Sequence, residues 1–185
     1  MNITIIVIVV LGVIFFLIYN SLISKKNSVE NAFASIDTIC KKRYDLIPNL
    51  VATVKQYMEH EANVLTEVTE LRAKATSGNV SEDEQVELNS KIGAGLGRIM
   101  VAVEAYPDLK ANENFQQLQR TLNEVEEQLS AARRSYNAAV TDFNNAVEMF
   151  PTNIVANMMH YSRRQLFEAS ESERQNVSVG NLFNG

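Results

Sequence analysis

The sequence predicts an all-α protein, with an N-terminal transmembrane helix followed by an antiparallel bundle of long helices. Two observations carry this. Residues 3–23 form an apolar run that only Thr4, Gly12, Asn20 and Ser21 interrupt. Beyond it, apolar residues recur at three- and four-residue spacing, the period of a helix that buries one face; a strand would need period two. The expected organisation is an anchor over residues 1–24, a helical bundle domain over 25–169 and a polar tail over 170–185.

About 20 apolar residues at about 1.5 Å rise cross a bilayer core of about 30 Å. Tyr19 lies near the end of the run, and Lys25 and Lys26 close it. A cleaved signal peptide would need a basic start and a small-residue cleavage site. Met1-Asn2 carries no side-chain charge and no Ala-x-Ala triplet follows, so the expectation is an anchor. Cys40, the one cysteine, lies too far along for a lipoprotein processing site and falls on an apolar stripe as a small core residue. Basic residues cluster after the span (Lys25, Lys26, Lys41, Lys42, Arg43), which places the N-terminus outside and the bundle in the cytoplasm. The net charge of −5 argues against a nucleic-acid partner, and Arg133-Arg134 and Arg163-Arg164 read as solvated helix faces.

The first bundle helix carries one heptad position at Val29, Ile36, Arg43, Leu50, Tyr57, Val64 and Leu71, and another at Phe33, Cys40, Ile47, Val54, Glu61, Val68 and Ala75. Only Arg43 and Glu61 break the stripe. The phase is the same on both sides of Pro48, so the expectation is one long helix, kinked at Pro48, continuous with the span and ending at Thr76-Ser77-Gly78-Asn79. Ser81-Glu82-Asp83-Glu84 reads as a capping box for a second helix to about Ala105, with Val86, Ile92, Leu96, Ile99 and Val103 on its face. Its Gly93-Ala94-Gly95-Leu96-Gly97 lacks both the G-x-G-x-x-G spacing and a preceding strand, so it reads as close helix packing or a flexible point. Tyr106-Pro107-Asp108-Leu109-Lys110 is a connector, and Asn112 or Asn114 caps a third helix. That helix has the cleanest stripe: Phe115, Leu118, Leu122, Val125, Leu129, Ala132, Tyr136, Ala139, Phe143, Ala146 and Phe150. After Phe150-Pro151, Ile154, Val155, Met158, Met159 and Tyr161 suggest a short fourth helix, with Leu166 and Phe167 docking behind it. Val177, Val179, Leu182 and Phe183 in the tail are candidates for a further contact.

No catalytic constellation emerges. His60 and His160 lack Glu-x-x-His or His-Glu-x-x-His spacing, and Glu124, Glu126 and Glu127 read as an exposed face. No metal, cofactor or catalytic residue is expected. The break at Arg43 is the most suggestive feature, with Arg43 and Asp45 expected to pair across helices beside Pro48. The candidate structural or interaction motif is Lys42, Arg43, Tyr44, Asp45 and Pro48, together with Tyr106, Pro107 and Asp108.

The segment from Lys41 to Leu50 resembles the signature of the LemA family. The resemblance continues through Glu104 to Phe115, Arg133 to Asn137, Phe150-Pro151 and Phe167-Glu168, covering roughly Tyr19 to Glu168. It implies a bacterial inner-membrane protein with one N-terminal span and a helical bundle. It supplies no enzymatic activity and no catalytic residues. It implies partners such as a membrane metalloprotease of the HtpX type or TPM-domain proteins, and one branch of the family works in magnetosome membranes. The chain departs from the pattern at Phe33, where tryptophan is common, and in its glycine-rich second helix. The expected function is a membrane-anchored scaffold or interaction protein of the cell envelope that inserts residues 3–23 in the bilayer and self-associates. The alternative is a signalling adaptor that partners a membrane protease or kinase.

Overall fold

The computed structural model describes residues 3–58, 60–78 and 80–167, with Glu82 and Asp83 described by backbone alone. Helix α1 runs from Ile3 to Val54, 52 residues without interruption. Its residues Ile3 to Leu17 are exposed, and burial starts at Leu22 and Val29. From there Ile36, Cys40, Arg43, Ile47, Leu50 and Val54, at steps of four and three, face the core. The apolar run therefore becomes the first core helix with no linker, and the helix passes through Pro48 as the phase predicts. Ile47 and Leu50 lie on one helix and in one core.

The expected continuation to Ala75 is not formed. The chain leaves helical geometry after Val54, and α2 begins at Ala62. The chain then doubles back beside α1: the Arg72 side chain bonds the backbone of Tyr44, 28 residues earlier. The connector from Lys55 to Glu61 is one heptad long, so counting in sevens steps over it with the phase intact. Glu61 at a core position was the visible sign of the break. Helix α2 (Ala62–Ala75) turns at Gly78, with φ +77, into α3 (Glu82–Val103). Ser81 caps α3 by accepting from the backbone N–H of Glu84 at 3.3 Å. The carboxylate of Glu84 pairs with Lys74 at 2.8 Å, closing the hairpin.

The connector at Tyr106 contains a short helix, α4 (Pro107–Ala111), with Pro107 in its first turn, where a missing N–H costs nothing. Asn112 caps α5 (Glu113–Glu148): its Oδ1 accepts from the N–H of Phe115 at 3.1 Å, and its Nδ2 donates to the Tyr57 hydroxyl at 3.3 Å. Helix α5 lies antiparallel to α1, since Glu126 meets Arg43, Tyr136 meets Phe33 and Ala146 meets Leu22. Its predicted stripe is buried at Phe115, Leu122, Val125, Leu129, Tyr136, Phe143 and Ala146. Each large side chain so buried contributes about 1.5–3 kcal/mol. Phe150 is the exception: α5 stops at Glu148 and Phe150 is 80% exposed.

Helix α6 (Thr152–Met158) packs back on α1. Residues 161–167 then leave the helix and run along α5. Phe167 docks as expected, but Leu166 is exposed. Arg163 and Arg164 lie on this non-helical segment, not on a helix face, and pair with Glu148 at 3.1 Å and Glu30 at 3.6 Å. The expected tail, with Val177, Val179, Leu182 and Phe183, lies outside the described residues.

Candidate functional site

Pro48 has no N–H, so the carbonyl of Tyr44 loses its helical donor. The donor comes from α2, where Arg72 Nε bonds this oxygen at 2.8 Å. One turn of α1 thus becomes a socket for the neighbouring helix. The side chain of Tyr44 turns inward and donates to Asn89 Oδ1 of α3 at 2.7 Å, in the core. Burial pushes the Tyr44 phenol well above its ordinary value. The adjacent Cys40 thiol is pushed up to about 11, again chiefly by burial.

Arg43 is 1% exposed. Its Nη1 lies 3.3 Å from Glu126 Oε2 of α5, whose side chain is half exposed and holds the one carboxylate paired with Arg43 among the described residues. Space for the guanidinium comes from Gly93, where a Cβ would stand 2.7 Å from Nη2. Gly95 lets α3 approach α2, since a Cβ there would stand 2.5 Å from Val68 Cγ2. Gly97 faces open space. Two of the three glycines are therefore close-packing positions, as the helix-packing reading expects.

The sequence-predicted residues divide accordingly. Arg43 and Tyr44 are buried in this polar core, and Pro48, itself exposed, bears on it through the Tyr44 carbonyl that Arg72 takes. The expected pairing across helices is made by Arg43, with Glu126 of α5, whereas Asp45 and Lys42 lie on the exposed side of α1. Tyr106, Pro107 and Asp108 sit at the far end of the bundle, level with Tyr57. The end of α1 at Val54 is by helical rise already about 16 Å beyond Arg43, so the structure does not bring the two motifs together. Both histidines are exposed. Among the described residues no group of three or more His, Cys, Asp or Glu side chains gathers to hold a metal.

Sequence reasoning missed the asparagines. Asn137 takes the backbone of Phe167 with both ends of its amide (Nδ2 to O 3.0 Å, N to Oδ1 2.8 Å), and Asn144 takes Arg164 in the same way (2.9 Å each). Seven helical residues rise about 10.5 Å, and three residues cover that distance only when extended. The pair therefore clamps residues 164–167 as an extended strap. Phe167 closes an aromatic trio with Phe33 (6.5 Å, stacked) and Tyr136 (4.9 Å, edge-on). Two asparagines one heptad apart beside a core stripe were the available signal.

These polar groups hold the helices and the strap together. The fold and site define a helical-bundle protein whose one long apolar N-terminal helix is a candidate single-pass membrane anchor. The model of the LemA family matches residues 32–180, and the chain belongs to the LemA family. It is 31% identical to Protein LemA of Metamycoplasma hominis over 92% of this chain and 80% of that protein. It is also 22% identical to Magnetosome protein MamQ 2 of Paramagnetospirillum magneticum and 20% identical to Magnetosome protein MamQ of Magnetospirillum gryphiswaldense, each over 89% of this chain and 70% of the relative.

Proposed function

We propose that this chain is a membrane-anchored scaffold or interaction protein of the bacterial cell envelope, without a catalytic step of its own. The carrying observation is the unbroken α1: residues that suit a bilayer and residues that build the core belong to one rigid rod. LemA family membership and the likeness to MamQ proteins support a membrane-associated, non-catalytic reading. The lysines that follow the span favour a bundle in the cytoplasm and an N-terminus outside, in the inner membrane. The proposed partners are the bilayer through residues 3–23, further copies of the chain, and a membrane metalloprotease or TPM-domain protein.

The test is cross-linking in cells, followed by purification of the full chain from alkali-washed membranes and mass spectrometry of what comes with it. Retention in the washed membrane with several envelope proteins and self-cross-links is the expected result. Release by alkali would remove the anchor, and one protease or kinase captured alone would favour the adaptor. Ser77 is exposed and Cys40 is buried, so a Ser77→Cys variant reports orientation without interference. Labelling by an impermeant maleimide in intact cells would overturn the cytoplasmic placement.

A further inference from the structure

Leu22 is fully buried although it lies in the last turn of the apolar run. It is covered by Ala146 of α5 and by Val155 and Ala156 of α6, with Ile18, Val147, Met159 and Tyr161 packed around them. The end of the bundle therefore grips α1 inside the segment that suits a bilayer. By helical rise, Ile18 lies about 7.5 Å below Ile23. On the outward sides of the same turn stand Met149 (62% exposed), Phe150 (80%), Ile154 (53%) and Met158 (65%). Beyond α1 there are six exposed large apolar residues among those described, and four of them gather here.

The charge pattern fits this level. From Met149 to Tyr161 the chain contains no Lys, Arg, Asp or Glu. Charges resume on both flanks, at Glu148 paired with Arg163 and at Lys25 and Lys26 on α1. An uncharged turn with outward Phe, Ile and Met, bordered by charged residues that include Lys25, Lys26 and Arg163, has the character of an element that lies in the headgroup–acyl boundary. A water-facing turn would leave these four side chains together in solvent, an arrangement that marks an interaction site.

We propose that the turn from Met149 to Met158 is a second membrane contact, set into the surface of the same bilayer that holds α1. The inference rests on the anchor reading above and deepens it. The bundle would then meet the membrane at two points, α1 and the α5–α6 turn, which fixes its tilt. The occupant is lipid because the patch stands on the same turn whose buried side grips the apolar run at Ile18 and Leu22.

The chain contains no tryptophan, so one substitution creates a single emitter. Three full-length variants are compared in phosphatidylcholine–phosphatidylglycerol vesicles with acyl chains brominated near the carbonyl end: Phe150→Trp at the turn, Phe16→Trp in the anchor and Val101→Trp at the far end. All three positions are exposed, and each variant must melt like the parent. Emission of Phe150→Trp should be blue-shifted and quenched roughly two-fold or more, with Val101→Trp unquenched. If Phe16→Trp is quenched but Phe150→Trp behaves like Val101→Trp, the second contact is overturned and the anchor stands. A blue-shifted but unquenched Phe150→Trp means that protein, such as a second copy, covers the turn, which also overturns the proposal. If Phe16→Trp is unquenched as well, the anchor reading fails and the proposal with it.

Discussion

Arg72 Nε donates to the carbonyl oxygen of Tyr44 at 2.8 Å, and Pro48 is the residue that leaves this oxygen without its helical donor. A proline that costs α1 one hydrogen bond thereby creates the acceptor that docks α2. The two residues form one interaction, and their effects on stability are coupled.

Arg72→Met should destabilise the full chain in detergent by about 1–2 kcal/mol, because a half-buried carbonyl loses a charged donor. Pro48→Ala restores an N–H and should be neutral or stabilising. In the Pro48→Ala background the cost of Arg72→Met should fall below about 0.5 kcal/mol. Urea unfolding of the four proteins measures this coupling; equal costs in both backgrounds would mean that the carbonyl is not what Arg72 serves.

Gly95 and Gly97 should respond oppositely to alanine. At Gly97 the added methyl meets nothing within 4 Å, so the helix gains up to about 1 kcal/mol of propensity. At Gly95 it meets stiff Val68 at 2.5 Å, and overpacking of about 1–3 kcal/mol outweighs that gain. Thermal melts of the two variants separate the positions.

Leu129→Ala should cost about 2–5 kcal/mol, because Leu129 is fully buried at the α1–α5 seam. Exposed Glu127→Ala should stay within about 0.5 kcal/mol of the parent. Urea midpoints check both, and a loss below about 1 kcal/mol at Leu129 would contradict the core assignment.

Alkali should weaken the fold. The Cys40 thiol ionises near 9.0 when unfolded and near 11 when folded, so between those values the unfolded chain binds fewer protons. Stability is full below pH 9 and is lost as pH rises towards 11, by up to about 3 kcal/mol. Tyr44 acts in the same direction at higher pH. Cys40→Ala should flatten this decline, and native Cys40 should resist a thiol reagent that labels it at once in denaturant.

Asn144→Ala removes both hydrogen bonds to Arg164 and should free the strap without unfolding the bundle. Faster amide exchange at Arg164 and Phe167, with unchanged exchange in α1 and α5, is the expected outcome.

Much of the architecture was legible because it is local. The periodic stripe of α5, the caps at Ser81 and Asn112, and the passage of α1 through Pro48 all follow from neighbours within a turn or two. The break at Lys55–Glu61 was hidden by its own length, since one heptad of connector leaves the phase unchanged. Phe150 fitted the stripe by spacing, but the helix ends before it. The candidate site was only half visible: the charge break at Arg43 marked the place, whereas its neighbours Gly93, Asn89, Arg72 and Glu126 come from three other helices.

By itself the sequence determined the helical class, the apolar run that merges with a core helix, and the faces that must be buried. Periodicity, capping and hydropathy act along the chain and need no partner. Tertiary structure decided where the chain turns back, which carboxylate meets Arg43, how two asparagines clamp the strap, and that the α5–α6 turn grips α1 at Ile18 and Leu22. Those outcomes depend on which distant residues share a space. The carbonyl that Pro48 exposes can be inferred from one helix, but its donor stands on another, whose course is set by tertiary contacts.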